Sequence, residues 1–159
     1  MGEIDAGGRF RRGMNYFLDT NIILILFFNR ENELKPTILS ILRDNRNSFF
    51  ASTISLLEIA QLYRRRKIKE IDYDIFDTGD KFIDSISYSL SAIEVLPFER
   101  REARIASRLT FVPNHKDPND LAIMAHAISE QMPIISCDDK FPEYISQGIT
   151  VLYNKRSTK

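Results

Sequence analysis

Apolar residues fall alternately into short uninterrupted runs and into spacings of three and four, a pattern that predicts strands followed by helices. Asn15 to Leu18 is the first strand, ending at Asp19. Thr20 or Asn21 then caps a helix through Ile22 to Phe28. Leu34, Ile38, Ile41 and Leu42 predict a helix over residues 33–46, and Ser48 to Ser52 a second strand. A helix from Thr53 to about Lys69 follows, then a helix or helix pair over residues 72–91. Ile93 to Leu96 is a strand stopped by Pro97, and Glu99 to Leu109 a helix. In DPND, Asp117 is the cap, Pro118 the first helical residue and Asp120 close to the third. Its continuation, Leu121 to Ile128, is apolar almost all round and therefore buried. Pro133 to Ser136 is a short strand delivering Asp138, and Thr150 to Tyr153 a last edge strand. This alternation implies an α/β fold on a mainly parallel sheet with right-handed crossovers. Ligand sites in such sheets lie beyond the carboxyl ends of the strands.

Composition adds mostly exclusions. A chain of 159 residues with 43% hydrophobic and 28% charged residues suits one globular domain. The single cysteine, Cys137, excludes an internal disulfide framework, fits a reducing cytoplasmic compartment and reads as a buried bystander. With 22 basic and 22 acidic residues, strong nonspecific nucleic-acid binding is not advertised. The longest apolar run, Ile22 to Phe28, is far below the roughly 20 residues of a membrane span. Arg9, Arg11 and Arg12 precede it, but Asp19 and Asn21 interrupt any signal-like core. Residues 1–13 lack periodicity and read as a flexible extension before a domain over residues 14–154, with Met14 as an alternative start.

The chemistry lies in four acids, Asp19, Glu58, Asp120 and Asp138, each at the edge of an apolar stretch. Carboxylates are seldom set against a core unless paired or bound to metal, because desolvating an isolated charge costs several kcal/mol or more. Singly, each has a plain reading as strand end, solvated helix residue, helix-start acid or turn. Together they point to one shared cation site. Glu58 follows Ile54 by four residues and precedes Leu62 by four, so it shares an inward stripe and needs a partner. One or two hard divalent ions would reverse the repulsion that four carboxylates impose on a phosphodiester, and all-oxygen ligands favour Mg²⁺ or Mn²⁺ over zinc.

Other charged residues carry less. The run Arg64 to Lys67 with Lys69, and the repeat Arg100, Arg104, Arg108, read first as solvated faces and second as phosphate contacts. His115 is expected to flank a helix and His126 to be a packed or half-exposed helix residue, neither a metal ligand. Their separation of eleven positions lacks a zinc signature.

The segments FLDTN, ASTISLLEIA, HKDPNDLAIMAHA and PIISCDDKFPEY, in this order, resemble the PIN-domain nucleases, especially toxin ribonucleases of bacterial type II toxin–antitoxin pairs. The resemblance runs from Asn15 to about Leu152 and is most specific in the third segment. It implies an α/β/α sandwich with four or five parallel strands, and an acidic pocket that binds Mg²⁺ or Mn²⁺ and cleaves single-stranded RNA. Asp19, Glu58, Asp120 and Asp138 match the family's metal-site acids, and Thr20, Asn21 and Ser52 its accessory polar positions. Asp117 is explained sufficiently as a helix cap, and Asp138 is favoured over Asp139 by its place after the strand. An antitoxin protein and a homodimer, formed through helices between Leu34 and Leu90, are implied partners. The competing readings are a housekeeping RNA-processing PIN nuclease and a non-catalytic PIN-fold binding module. An aspartyl phosphatase would want a second acid where Asn21 stands, and no glycine-rich turn supports dinucleotide binding.

Overall fold

The computed structural model describes residues 13–157; the extension expected over residues 1–13 falls, Gly13 apart, outside them. Five strands form one all-parallel sheet in the order β3-β2-β1-β4-β5: β1 (Asn15–Leu18), β2 (Ser48–Ser52), β3 (Ile93–Leu96), β4 (Ile134–Ser136) and β5 (Val151–Tyr153). The helices are α1 (Thr20–Phe27), α2 (Pro36–Arg43), α3 (Thr53–Arg64), α4 (Gly79–Ser89), α5 (Arg100–Ala106) and α6 (Pro118–Glu130). Among the described residues, no helix is long and apolar enough to cross a membrane.

Alternation along the strands divides the core into two layers. Tyr16 and Leu18 face one cluster with Ile22, Ile25, Ile59, Phe82 and Ile135. Phe17 faces the other, with Ile123, Met124, Ile134, Phe141 and Tyr144. Adjacent β1 and β4 residues in register, Phe17 with Ile134 and Leu18 with Ile135, share a face. Both faces of the central strands are covered, hence their continuous apolar runs. The chain lays down β1, β2 and β3 on one side and then crosses to β4 on the other, so the strand order reverses between β1 and β4. A crevice opens beyond the carboxyl ends at such a point.

Several helix boundaries differ from expectation. Asp19 itself caps α1, its side chain accepting from the Thr20 N–H, where Thr20 or Asn21 was expected to cap. α2 starts at Pro36 because Lys35 is held extended, as a residue before proline must be, and a 3-10 turn (Glu31–Glu33) precedes it. α3 stops at Arg64: Arg66 adopts φ 52°, turning the chain so that Ile68 and Ile71 enter the core. Only Gly79–Ser89 of the stretch 72–91 is helical, started by the Thr78 cap, and α5 covers Arg100–Ala106 within an expected 99–109.

Candidate active site

The crevice between β1 and β4 holds a cavity of about 530 Å³ whose wall includes Asp19, Glu58, Asp117, Asp120 and Asp138. Four segments supply them: Asp19 ends β1, Glu58 lies on α3, Asp120 on the first turn of α6, and Asp138 follows β4. Thr20 and Asn21 also line the cavity; Ser52 does not. Ser52 is fully buried, accepting from the Ile54 N–H at 3.1 Å as the cap of α3 and meeting His126 Nδ1 at 2.7 Å. Asp139 is likewise absent from the wall.

Asp19 is held from every side. Its Oδ1 accepts from the Thr20 N–H at 2.8 Å; its Oδ2 accepts from Ser136 Oγ at 2.6 Å and from Asn21 Nδ2 at 3.2 Å. The same Ser136 Oγ accepts from the Asp138 N–H at 3.0 Å, so one hydroxyl sets the spacing of two acids. Asn21 Oδ1 accepts from the Cys137 N–H at 3.2 Å and ties the start of α1 to the end of β4. On the opposite wall, Asp117 caps α6 through the Asn119 N–H at 2.9 Å, and Asn119 Nδ2 donates to Gln61 Oε1 of α3 at 2.8 Å. That bond fastens the helix of Asp120 to the helix of Glu58.

Among the described residues, no Lys or Arg forms an ion pair with Asp19, Glu58, Asp120 or Asp138. The charges therefore press on one another. Burial pushes the Asp19 carboxyl up to about 7; the Ser136 bond offsets part of this and Glu58 adds to it. Asp120 is driven up to about 9 by burial first and then by Asp19, Asp117, Asp138 and Glu58. Glu58 is raised by burial, against a bond from Thr20, and further by Asp117 and Asp138. Burial and mutual repulsion thus raise Asp19, Glu58 and Asp120 together, the shift that closely placed carboxyls without a neutralising cation produce.

His115 is not the simple helix-flanking residue expected. Asn114 adopts φ 64° and turns the ring inward, where Nε2 lies 2.8 Å from Asp120 Oδ2 and Nδ1 meets the Tyr144 hydroxyl. His126 is the packed, not the half-exposed, residue of the two readings, set between Phe17 and Phe98 on the far side of α6. Nearby Glu102 and Glu130 are bridged by Arg101 at 2.7 Å to each, an ion-pair link between α5 and α6.

The PIN domain family matches residues 16–145. This chain is a PIN-domain protein. Its fold is shared with VapBC2 from Rickettsia felis bound to a promoter DNA fragment, at 22% identity and a TM-score of 0.60 over 88% of this chain and 98% of that one. DNA-bound VapBC from Salmonella typhimurium is 21% identical with a TM-score of 0.59, again over 88% and 98%. VapBC-5 from Mycobacterium tuberculosis, a member of the VapBC family of toxin–antitoxin systems, is 20% identical with a TM-score of 0.56 over 87% and 98%. No curated protein matches the chain. In this PIN domain the structure brings all four expected acids to one cavity and adds Asp117 to its wall. Sequence reasoning passed over Ser136, His115 and Tyr144. Ser136 stands two positions before Asp138 at a strand's end, a place from which a hydroxyl can reach both neighbouring loop starts; nothing in the pattern joins Tyr144 to His115.

Proposed function

We propose that this protein is a divalent-metal-dependent endoribonuclease that hydrolyses single-stranded RNA, and that it is the toxin of a toxin–antitoxin pair. The observation that carries the nuclease reading is the cavity itself, with acids from four segments, Asp19 and Asp120 buried, and no Lys or Arg paired with them among the described residues. The donors fit a hard divalent cation. Glu58, Asp117 and Asp120 each bring a ligand atom within 4.8 Å of the others, and their oxygens suit Mg²⁺ or Mn²⁺. Asp19, Asp120 and Asp138 would hold the ion, with Glu58 ligating or orienting water. When bound, such an ion supplies the positive charge that offsets a phosphodiester's repulsion and favours attack by water.

The chain's own residues do the rest. Ser136 and the Thr20 N–H hold Asp19 in one rotamer, and Asn119 with Gln61 keeps the two carboxylate-bearing helices in register. Prepositioned ligands of this kind lower the reorganisation needed during reaction. Nucleic acid as substrate is supported by the cavity rim. Lys67 and Lys69 stand in its wall on either side of the buried Ile68, and neither pairs with a carboxylate among the described residues. Two unpaired lysines beside a metal-ready acidic floor suit a strand whose scissile phosphate meets the acids while its neighbours meet ammonium groups.

The toxin reading rests on the resemblance of HKDPND and on the likeness of fold to VapBC complexes. It entails a small cytoplasmic antitoxin whose Arg or Lys enters the acidic cavity and displaces metal. A homodimer through the helices between Leu34 and Leu90 belongs to the same reading and rests on the resemblance alone. The test is cleavage of a labelled single-stranded RNA by purified protein with Mg²⁺ or Mn²⁺, with EDTA, and by Asp19→Asn. Metal-dependent cutting lost in the variant is expected; equal cutting by both proteins would remove the assignment.

A further inference from the structure

His115, which lies outside the cavity wall, is hydrogen-bonded to Asp120. His115 is 9% exposed, and its Nε2 lies 2.8 Å from Asp120 Oδ2. Behind it stands Tyr144, 1% exposed, whose hydroxyl meets His115 Nδ1. That hydroxyl oxygen also accepts from the Val112 N–H at 3.1 Å. Once a metal ion holds Asp120 ionised, its oxygens can only accept, so a neutral His115 carries its proton on Nε2, facing Asp120, and Nδ1 accepts from the Tyr144 O–H. A chain of three hydrogen bonds thus runs from the backbone of residue 112 to one oxygen of the carboxylate.

We propose that His115 and Tyr144 form a positioning pair that fixes Asp120 for metal binding, with Oδ2 held by the imidazole N–H and Oδ1 left for the ion. The proposal rests on the metal-dependent reading above. Four features carry it. Both ring nitrogens are engaged: with the proton on Nε2 and Nδ1 accepting from Tyr144, the ring offers no free lone pair to a metal, although His115, Asp120 and Asp138 bring ligand atoms within 4.8 Å of one another. The pair belongs to other segments than the acids: His115 to the turn before α6, Tyr144 to the 3-10 helix (Phe141–Gln147) after β4. Tyr144 packs its ring against His115 at 5.4 Å between centroids, 72° between planes, and Phe111 covers another side at 5.6 Å and 88°, so the imidazole has little room to rotate. Finally, Asp120 has no other hydrogen-bond donor among the described side chains, whereas Asp19 has two. Outer residues that hold metal ligands typically change metal affinity by 10–100-fold when removed.

The experiment measures Mn²⁺ affinity by the loss of the free-ion paramagnetic resonance signal, with the melting temperature of the metal-free protein recorded in parallel. His115→Leu is expected to weaken binding by about 10–100-fold. His115→Gln, which retains an N–H donor on a similar reach, is expected to recover most of it, and Tyr144→Phe, which releases the tautomer, to fall between. Unchanged Mn²⁺ affinity in His115→Leu, with only a lower metal-free melting temperature, would show a purely structural role and overturn the proposal. If His115→Leu does not fold, unchanged affinity in Tyr144→Phe overturns it instead. Nitrogen nuclear coupling to Mn²⁺ in the wild-type protein would also overturn it, by making His115 a direct ligand. A wild-type protein that binds no Mn²⁺ would remove the metal reading itself, an outcome distinguishable from all of these.

Discussion

Raising the pH should destabilise the metal-free protein, and the structure fixes the sign. Burial and the neighbouring acids raise Asp120 from an ordinary 3.8 to about 9, and burial raises Asp19 from the same reference to about 7. A folded-state pKa raised above the unfolded one means stability fully present below the unfolded value and lost as pH climbs to the folded value. Between about pH 6.5 and 8.5 the unfolded chain has released the Asp120 proton while the folded protein retains it, so each pH unit removes about 1.4 kcal/mol and the window about 3 kcal/mol. Asp19 adds a smaller loss at the lower edge. The window starts at the ordinary His value of 6.5 because burial lowers the His126 pKa, a contribution of opposite sign that fades above it. For a chain of this size the loss corresponds to a melting temperature lower by roughly 6–12 °C. Urea denaturation at stepped pH in EDTA reads it directly. Asp120→Asn should flatten the slope, and saturating Mg²⁺ should stabilise the protein more at the upper end than the lower, since binding expels the shared protons. Stability that is flat or rises across this window in EDTA would refute the crowding of unneutralised acids.

Other outcomes follow from the same geometry. Asp19→Asn should abolish RNA cleavage yet leave the metal-free melting temperature equal or higher, because it removes one of the mutually repelling buried charges; substantial activity in the purified variant would contradict its role. Replacing Lys67 and Lys69 together by Ala should weaken RNA binding to the Asp19→Asn protein and make the slope of log affinity against log salt shallower by about 1.4, as expected for two lost phosphate contacts to a single strand. An unchanged slope would place the strand elsewhere. Phe82→Ala should cost about 3–5 kcal/mol in urea denaturation, since its ring is fully buried among Phe27, Phe28, Tyr63 and Phe76. Coexpression with the product of an adjacent small gene should give a copurifying, inactive complex, and failure to copurify together with harmless overexpression alone would point to a housekeeping nuclease.

The strands β1 and β4 were legible because each is buried on both faces and runs up to a polar residue, so Tyr16-Phe17-Leu18 and Ile134-Ile135 stand out as apolar runs. The four acids were legible for the converse reason, as charge set against apolar neighbours. Helix ends were less so. α3 could not be stopped at Arg64 from pattern alone, since the basic run beyond it has good helix propensity and only the burial of Ile68 and Ile71 bends the chain away. The inner polar shell was hidden for a different reason: Ser136, His115 and Tyr144 act through contacts across 29 and 117 positions of sequence, which no local periodicity encodes. Ser52, marked by resemblance as part of the site, is drawn instead to the cap of α3 and to His126.

Whether carboxylates from four segments form one divalent-cation site is read most directly from crystals grown with Mn²⁺ and measured at the manganese absorption edge. Anomalous density inside the cavity, bounded by Asp19, Asp120 and Asp138, is the expected result, and it should vanish in Asp120→Asn. A wild-type map at saturating Mn²⁺ with no anomalous density in that cavity would contradict the account.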